Sequence, residues 1–253
     1  MYRGKRISVV IPCHNEEDGI RAVIAQMPAI VDEVLIVDNA SSDRTAEVAS
    51  ALGARVVYEG RKGYGRAYKT GFAQARGDII VTMDGDGTYP PDSIPLLLHV
   101  FLEEKIDFMN AARWRSRSGK NKSALRLLGN AVLSGATMLL FMRFIWDSQS
   151  GMWVFRRDQL PKFQPRSDTM ALSEEIKILA FTHPDVRTLE MPIYYGERIG
   201  ESKLNVWKDG FYNLFFLARM RLTLGRRRRA ARIVPFPAPE ATEGPERRAG
   251  QAP

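Results

Sequence analysis

Residues 79–91 read IIVTMDGDGTYPP, an apolar run that ends in two aspartates one residue apart and a Gly-Thr-Tyr-Pro-Pro turn. In an extended chain, side chains at i and i+2 point the same way, which predicts that Asp84 and Asp86 present two carboxylates to one point. Such a pair suits a hard divalent cation, Mg²⁺ or Mn²⁺, held by one or two carboxylates together with the phosphate oxygens of a substrate. The corresponding ligand is a nucleotide diphosphate. Asp and Gly are also ordinary turn formers, so the motif alone reads equally well as a solvated turn, and the rest of the chain decides.

Outward from this stretch one rhythm repeats. Residues 7–11, 34–37, 54–58, 79–83 and 106–111 are predicted as strands, and residues 16–27, 43–52, 64–76 and 92–102 as helices. The alternation predicts an α/β fold, a mostly parallel sheet flanked by helices, with ligands at the carboxyl ends of the strands. Polar clusters stand at those ends. Pro12-Cys13-His14-Asn15-Glu16-Glu17 follows the first strand, Asp38-Asn39-Ala40-Ser41-Ser42-Asp43 the second, and the Asp84/Asp86 pair the fourth.

The second half is less regular. Residues 124–146 form a long apolar helix candidate broken by Arg126 and Arg143, and residues 210–224 a shorter one that ends in a run of arginines. Neither supplies the roughly 20 uninterrupted apolar residues of a membrane span, so an interfacial helix is predicted. From Pro235 onward, the Pro, Ala, Glu and Gly content cannot build a core, which predicts a disordered tail. The expected organisation is a catalytic domain over residues 1–205, an amphipathic, polybasic membrane-association segment over 206–232, and the tail over 233–253.

A chain of 253 residues, 45% of them hydrophobic, buries the core of one large α/β domain. The single Cys13 excludes an intrachain disulfide. The opening residues lead straight into a strand without the pattern of a signal sequence, and a cytoplasmic setting is expected. The net charge of +8 comes almost entirely from Arg219, Arg221, Arg226 to Arg229 and Arg232, a stretch without acids. Residues 226–232 carry no aromatic side chains for base stacking, which argues against nucleic acid. Beside Phe211, Leu214, Phe215 and Phe216 the run suits the anionic headgroups of a membrane surface.

The segments VVIPCHNEE, VDNASSDRT, MDGDGTYPP, DSQSGMWVFRR, SEEIKI and YGERIGESKL together resemble the family 2 glycosyltransferases, which have the Rossmann-like GT-A fold. More narrowly they resemble the dolichyl- or polyprenyl-phosphate hexosyltransferases, the dolichyl-phosphate mannose synthase group. The resemblance runs from about residue 7 to residue 220, in the family's order. It implies that Pro12, His14, Glu16 and Asp38 hold the base and ribose of a sugar nucleotide, and Asp84 and Asp86 the metal and diphosphate. Arg113 and Arg126 resemble the arginines that receive the lipid phosphate. Arg198, Ser202 and Lys203 resemble the loop that closes over the phosphates. The commoner Asp-Asp after the second strand is Asp38-Asn39 here, and the Asp-Ala-Asp of the subgroup is Asp84-Gly85-Asp86.

The implied reaction is inverting transfer of a hexose, mannose or glucose, from a GDP- or UDP-sugar to a polyprenyl phosphate. A phosphate monoester, with a second pKa near ~6, is already mostly dianionic and needs placement more than deprotonation. Arginine suits that task because its planar fork meets phosphate oxygens in pairs. Glu174 and Glu175 stand where hydroxyl-using relatives carry their catalytic acid. They read as a base, as partners of Arg198 or Lys203, or, preferred for an anionic acceptor, as a helix N-terminal pair behind Ser173 as cap. Asp147, Gln149 and Ser150, ahead of Gly151, are expected to line the acceptor side. The nearest rival is a family 2 enzyme with a hydroxyl acceptor, for which Glu174 or Glu175 would be essential. A nucleotidyltransferase is remoter, because it wants a Gly-rich basic loop after the first strand, where His14-Asn15-Glu16-Glu17 stands. The nearest phosphate cradle, residues 63–71 with Lys62, Arg66 and Lys69, is weak. Oligomeric state leaves no mark in the sequence.

Overall fold

Strand β1 (Ile7–Cys13) sends Ile7, Val9 and Ile11 into one apolar cluster and Val10 into another, so both faces of the sheet are covered. A computed structural model describes residues 1–116, 124–200 and 206–231. Helix α1 (Glu17–Ala25), β2 (Glu33–Asp38), α2 (Thr45–Ala51), β3 (Arg55–Tyr58), α3 (Tyr64–Gln74), β4 (Ile79–Thr82) and α4 (Ile94–Glu103) follow as the alternation predicts, most with ends displaced by a few residues. The second half adds β5 (Phe108–Ser116), α5 (Ala124–Phe141), β6 (Trp153–Arg156), α6 (Leu160–Phe163), α7 (Leu172–Phe181), β7 (Thr188–Tyr195) and α8 (Val206–Ala231).

The seven strands lie in the order β3-β2-β1-β4-β6-β5-β7. Strands β1 to β4 pair in parallel, β6 runs antiparallel to both β4 and β5, and β7 returns parallel to β5. Strand addition reverses direction beside β1 and β4, and a crevice opens at the carboxyl ends of strands at such a point. Helices α1, α2 and α4 bury Ile20, Val23, Val48, Leu97, Leu98 and Phe101 on one face. Helix α3 and the later helices close the other face over Tyr68, Phe72, Trp153 and Phe155.

Three expectations are corrected. The helix expected over residues 124–146 stops at Phe141, where Met142 takes a left-handed φ of 53° and turns the chain back toward β6. The helix expected over residues 210–224 extends from Val206 to Ala231, because Leu217, Met220 and Leu224 give it a stripe to bury against α5. Ser173 is not a cap. It lies inside α7, whose cap position is Ala171, and its hydroxyl donates to the Ser150 carbonyl at 2.9 Å. Among the described residues, no helix is long and apolar enough to cross a membrane. The tail expected from Pro235 lies outside the described residues, as do Ser202, Lys203 and the side chains of Arg126 and Arg226 to Arg229.

Candidate active site

The loops after β1 and β2 are stitched together by short polar side chains. Ser41 Oγ accepts the Asn15 N–H at 3.0 Å, Asn15 Oδ1 accepts the Ser42 N–H at 2.7 Å, and Thr45 Oγ1 accepts the Glu16 N–H at 2.9 Å. Asp38 is buried, with Oδ1 accepting the Ser41 N–H at 3.0 Å. The Asn39 amide fastens the next loop, donating to the carbonyls of Glu59 and Arg61 and accepting from Gly63 N–H at 2.8 Å. Position 39 thus organises the rim. The result is a cleft of about 360 Å³ whose lining includes Pro12, His14, Glu16, Asp84, Asp86 and Arg198. Lys62 joins it, 3.4 Å from His14 Nε2, whereas Arg66 and Lys69 turn away to Asp168.

Asp84 and Asp86 converge by a route other than the extended one. Strand β4 ends at Thr82, and Gly85 and Asp86 form a turn beyond it. The turn packs tightly on the first strand, since a Cβ at Gly85 would stand 2.7 Å from Cys13 Sγ and the thiol would have to shift. Equally, a Cβ at Gly19 would stand 2.4 Å from the Gly85 carbonyl, so the first turn of α1 presses on the acidic loop. Burial first, and then the neighbouring Asp86 charge, push the Asp84 carboxyl up to about 7. The Tyr64 hydroxyl donates to its Oδ1 at 3.3 Å. Asp86 Oδ1 accepts the Thr88 N–H at 2.9 Å and the Thr88 hydroxyl at 2.6 Å, which fixes its rotamer. A half-buried and a buried carboxylate that repel each other suit a divalent cation. Among the described residues no cluster of three or more His, Cys, Asp or Glu forms a ready cage, so a cation here draws its remaining oxygens from a ligand.

Arg198 sits across this pair. Its guanidinium bridges Asp86 Oδ2 and, at 2.6 Å, Glu16 Oε1. The loop that carries it is pinned to the acidic turn by Ile199 N–H to the Asp86 carbonyl at 2.8 Å and Gly196 N–H to the Thr88 carbonyl at 2.7 Å. Arg113, expected to face a phosphate, instead gives its fork to Asp147, Nε to Oδ2 at 2.7 Å and one terminal nitrogen to Oδ1 at 2.8 Å. Burial opposes the Arg113 charge, but Asp147, Tyr89 and Asp84 outweigh it and raise its pKa. Gly151, at the end of the Asp147 turn, is held to the site, since a Cβ there would stand 2.7 Å from the Tyr64 hydroxyl and 3.2 Å from Asp84 Oδ1.

Glu174 and Glu175 are not among the residues that line the cleft. Glu175 is fully buried and accepts the backbone N–H groups of Arg166 and Ser167 at 2.9 and 2.7 Å, shaping the loop before α7. Glu174, 1% exposed, accepts from Gln149 through Oε1, while Oε2 has no hydrogen-bond partner among the described residues. Burial pushes its carboxyl up to about 7. One turn on, Lys177 donates to the carbonyls of Asp147 and Ser150 at 3.2 and 2.7 Å, and burial brings its ammonium down to about 7. These groups were legible as residues but not as a buried layer beneath the turn of Asp147 to Ser150.

The raised Glu174 carboxyl makes a signed prediction. Its proton is favoured in the folded state, so its contribution is complete below the unfolded pKa near 4.5 and is lost as pH rises to about 7, at ~1.4 kcal/mol per pH unit. Glu174→Gln keeps the acceptor for Gln149 and removes the charge. Between pH 5 and pH 8 its stability relative to the parent should improve by on the order of 2–3 kcal/mol in denaturant titrations. A pH-independent difference would contradict the burial argument.

The sequence profile described as "Glycosyl transferase family 2" matches residues 8–163. A low-salt glycan biosynthesis hexosyltransferase of Haloferax volcanii is 32% identical over 218 residues, 83% of this chain and 52% of that protein. A dolichyl-phosphate hexose transferase of the same organism is 32% identical over 215 residues, 83% of this chain and 91% of that protein. Among solved structures, glucosyl-3-phosphoglycerate synthase from Mycobacterium tuberculosis in complex with phosphoglyceric acid superposes with a TM-score of 0.66 at 25% identity, covering 85% of this chain and 80% of that one. The same enzyme with Mg²⁺ and uridine diphosphate gives 0.62 at 26% identity, covering 89% and 79%.

Proposed function

Since the chain belongs to glycosyl transferase family 2, we propose that it transfers a hexose from a nucleotide diphosphate sugar to a polyprenyl phosphate, inverting the anomeric centre. The observation that carries the choice of acceptor is the state of the two glutamates. Glu175 is engaged by backbone N–H groups and Glu174 by Gln149, so neither stands in the cleft as a base for a hydroxyl. An anionic phosphate acceptor needs no such base. The name of the dolichyl-phosphate relative supports the same acceptor class.

In this reading Pro12, His14, Glu16 and Asp38 receive the nucleoside end, and Asp84 and Asp86 are the residues that would hold Mg²⁺ or Mn²⁺. The ion supplies Lewis-acid stabilisation of the leaving diphosphate. Arg198 turns from Asp86 and Glu16 to the donor's phosphates, and Ser202 and Lys203, four and five residues further along the sequence, are proposed to bind there with it. Arg113 is held charged beside Asp147, and Arg126 opens α5, at the two places where an acceptor phosphate would be received. The acceptor oxygen attacks the anomeric carbon opposite the leaving group, so no covalent enzyme intermediate forms. The donor is a GDP- or UDP-sugar, with mannose preferred to glucose on the resemblance.

Residues 1–205 act as the catalytic domain, and the segment over 206–232 rests on the cytoplasmic face of a membrane as a peripheral anchor, ahead of the tail. Helix α8 exposes Phe211, Phe215 and Leu222 while α5 exposes Leu128, Val132 and Leu139, an apolar surface of the kind that seats in a lipid interface. The testing experiment offers radiolabelled GDP- and UDP-hexoses with Mg²⁺ or Mn²⁺ and a short polyprenyl phosphate. Label in the organic phase is the expected result and names the sugar. An intact donor with an empty organic phase would overturn the acceptor and point to hydroxyl acceptors.

A further inference from the structure

We infer that Trp114 and Trp146, with Phe144, form a rigid platform for the first isoprene units of the acceptor, an inference that rests on the polyprenyl phosphate reading above. The two indoles lie 5.4 Å apart at 46°, and Phe144 meets Trp146 edge-on at 5.9 Å. All three rings are half or more exposed, at 51%, 51% and 62%. Exposed aromatic groups of this size normally find burial or a ligand.

The platform is built. The register between β5 and β7 slips between Arg113 and Arg115, so Trp114 is the extra residue of a β-bulge, a device that re-aims a side chain. On the other side, Glu190 of β7 clamps the Trp146 loop, its Oε2 accepting the Trp146 N–H at 2.6 Å and its Oε1 the Asp147 N–H at 2.9 Å. The same Oε1 accepts from Asn110 of β5 at 2.6 Å, which ties the loop to the sheet. Exposed rings on a backbone held this firmly lose little freedom when they bind.

Its position selects the ligand. Trp114 follows Arg113 and Trp146 precedes Asp147, so the two residues that carry the indoles are the chain neighbours of the Arg113–Asp147 pair, with consecutive Cα atoms about 3.8 Å apart. A phosphate received at that pair would adjoin the backbone that carries both indoles. Beyond Phe144 the exposed Met142 and Leu139 continue the apolar surface onto α5. A sugar would call for hydrogen-bonding side chains along that track, and an isoprenoid calls for hydrocarbon.

The test uses a water-soluble prenyl phosphate of about ten carbons, without vesicles. Saturable blue-shifted tryptophan emission on adding it, and none with inorganic phosphate, is the expected result. The double substitution Trp114→Ser/Trp146→Ser should abolish that shift and raise KM for the prenyl phosphate about 10- to 100-fold, with Trp114→Phe falling between. Nucleotide diphosphate affinity measured by calorimetry reports that each variant is folded. Transfer by the parent with KM unchanged in a folded double variant would overturn the platform and leave the acceptor reading standing. No transfer and no shift with any prenyl phosphate would overturn both. A shift with anionic vesicles but not with the soluble phosphate would make the rings a bilayer anchor and overturn the platform.

Discussion

Transfer by the Asp84→Asn/Asp86→Asn variant should fall at least about 1,000-fold while the protein remains folded. The size follows from the chemistry: Lewis-acid stabilisation of a leaving diphosphate is worth several kcal/mol, and each ~1.4 kcal/mol is a factor of ten in rate. Survival of the fold follows from the electrostatics. Asp84 is half-buried and opposed by Asp86, and desolvation with that neighbouring charge pushes its carboxyl up to about 7. Neutral amides of the same shape end that repulsion but also weaken the Asp86–Arg198 ion pair, two effects of opposite sign, so thermal unfolding without added metal should stay within several degrees of the parent. Stabilisation by Mn²⁺ plus nucleotide diphosphate follows the ratio of ligand concentration to Kd, and the metal-dependent part should vanish in the variant. Substantial transfer by the double variant, with Mn²⁺ still raising its Tm, would remove both aspartates from the metal site.

Arg198→Ala should lower kcat/KM by roughly 100- to 1,000-fold, the effect of losing a charged donor aimed at a developing anion. It should also change metal affinity in the opposite sense. The guanidinium is paired with Asp86 and Glu16, so a cation competes with it for the same carboxylates. Without that side chain, Mn²⁺ measured by calorimetry or paramagnetic relaxation should bind the nucleotide-free protein more tightly. With nucleotide present the advantage should shrink, because Arg198 is then drawn to phosphate. Weaker metal binding in both conditions would mean that the residue merely braces the loop.

The first half was legible because its signals are local. Apolar runs that alternate with helical patterns and turn formers marked the first four strands, and the polar clusters behind β1, β2 and β4 do meet in one cleft. What escaped was long-range or buried on all sides. Strand β6 is, like β4, four residues long and almost wholly buried, but it stands outside the strand-helix alternation that made β4 legible. Helix α7 buries nearly every residue, including Glu174, Glu175 and Lys177, and so lacks the polar face that marks a helix in sequence. The partner of Arg113 lies 34 residues away, and Arg198 meets Glu16 across 182. Such pairs are set by topology rather than spacing. The reading of Asp84 and Asp86 reached the right neighbours by the wrong geometry, since an Asp-Gly-Asp turn and an extended strand look alike as text.

Strand β6 also governs the order in which the molecule can be assembled. Among the described residues it alone joins β4 to β5 in the sheet, and it emerges from synthesis about 45 residues after β5 begins. Until it is made, the first four strands and their helices can gather around short crossovers, whereas β5 has no neighbour to the left and β7 has not yet been written. The second half therefore waits, with long loops to close before any pairing rewards them, and its apolar helices stay uncovered in the interval. The birth of this protein on the ribosome should accordingly proceed in two acts, a first half that settles early and a second half that snaps in around a four-residue key.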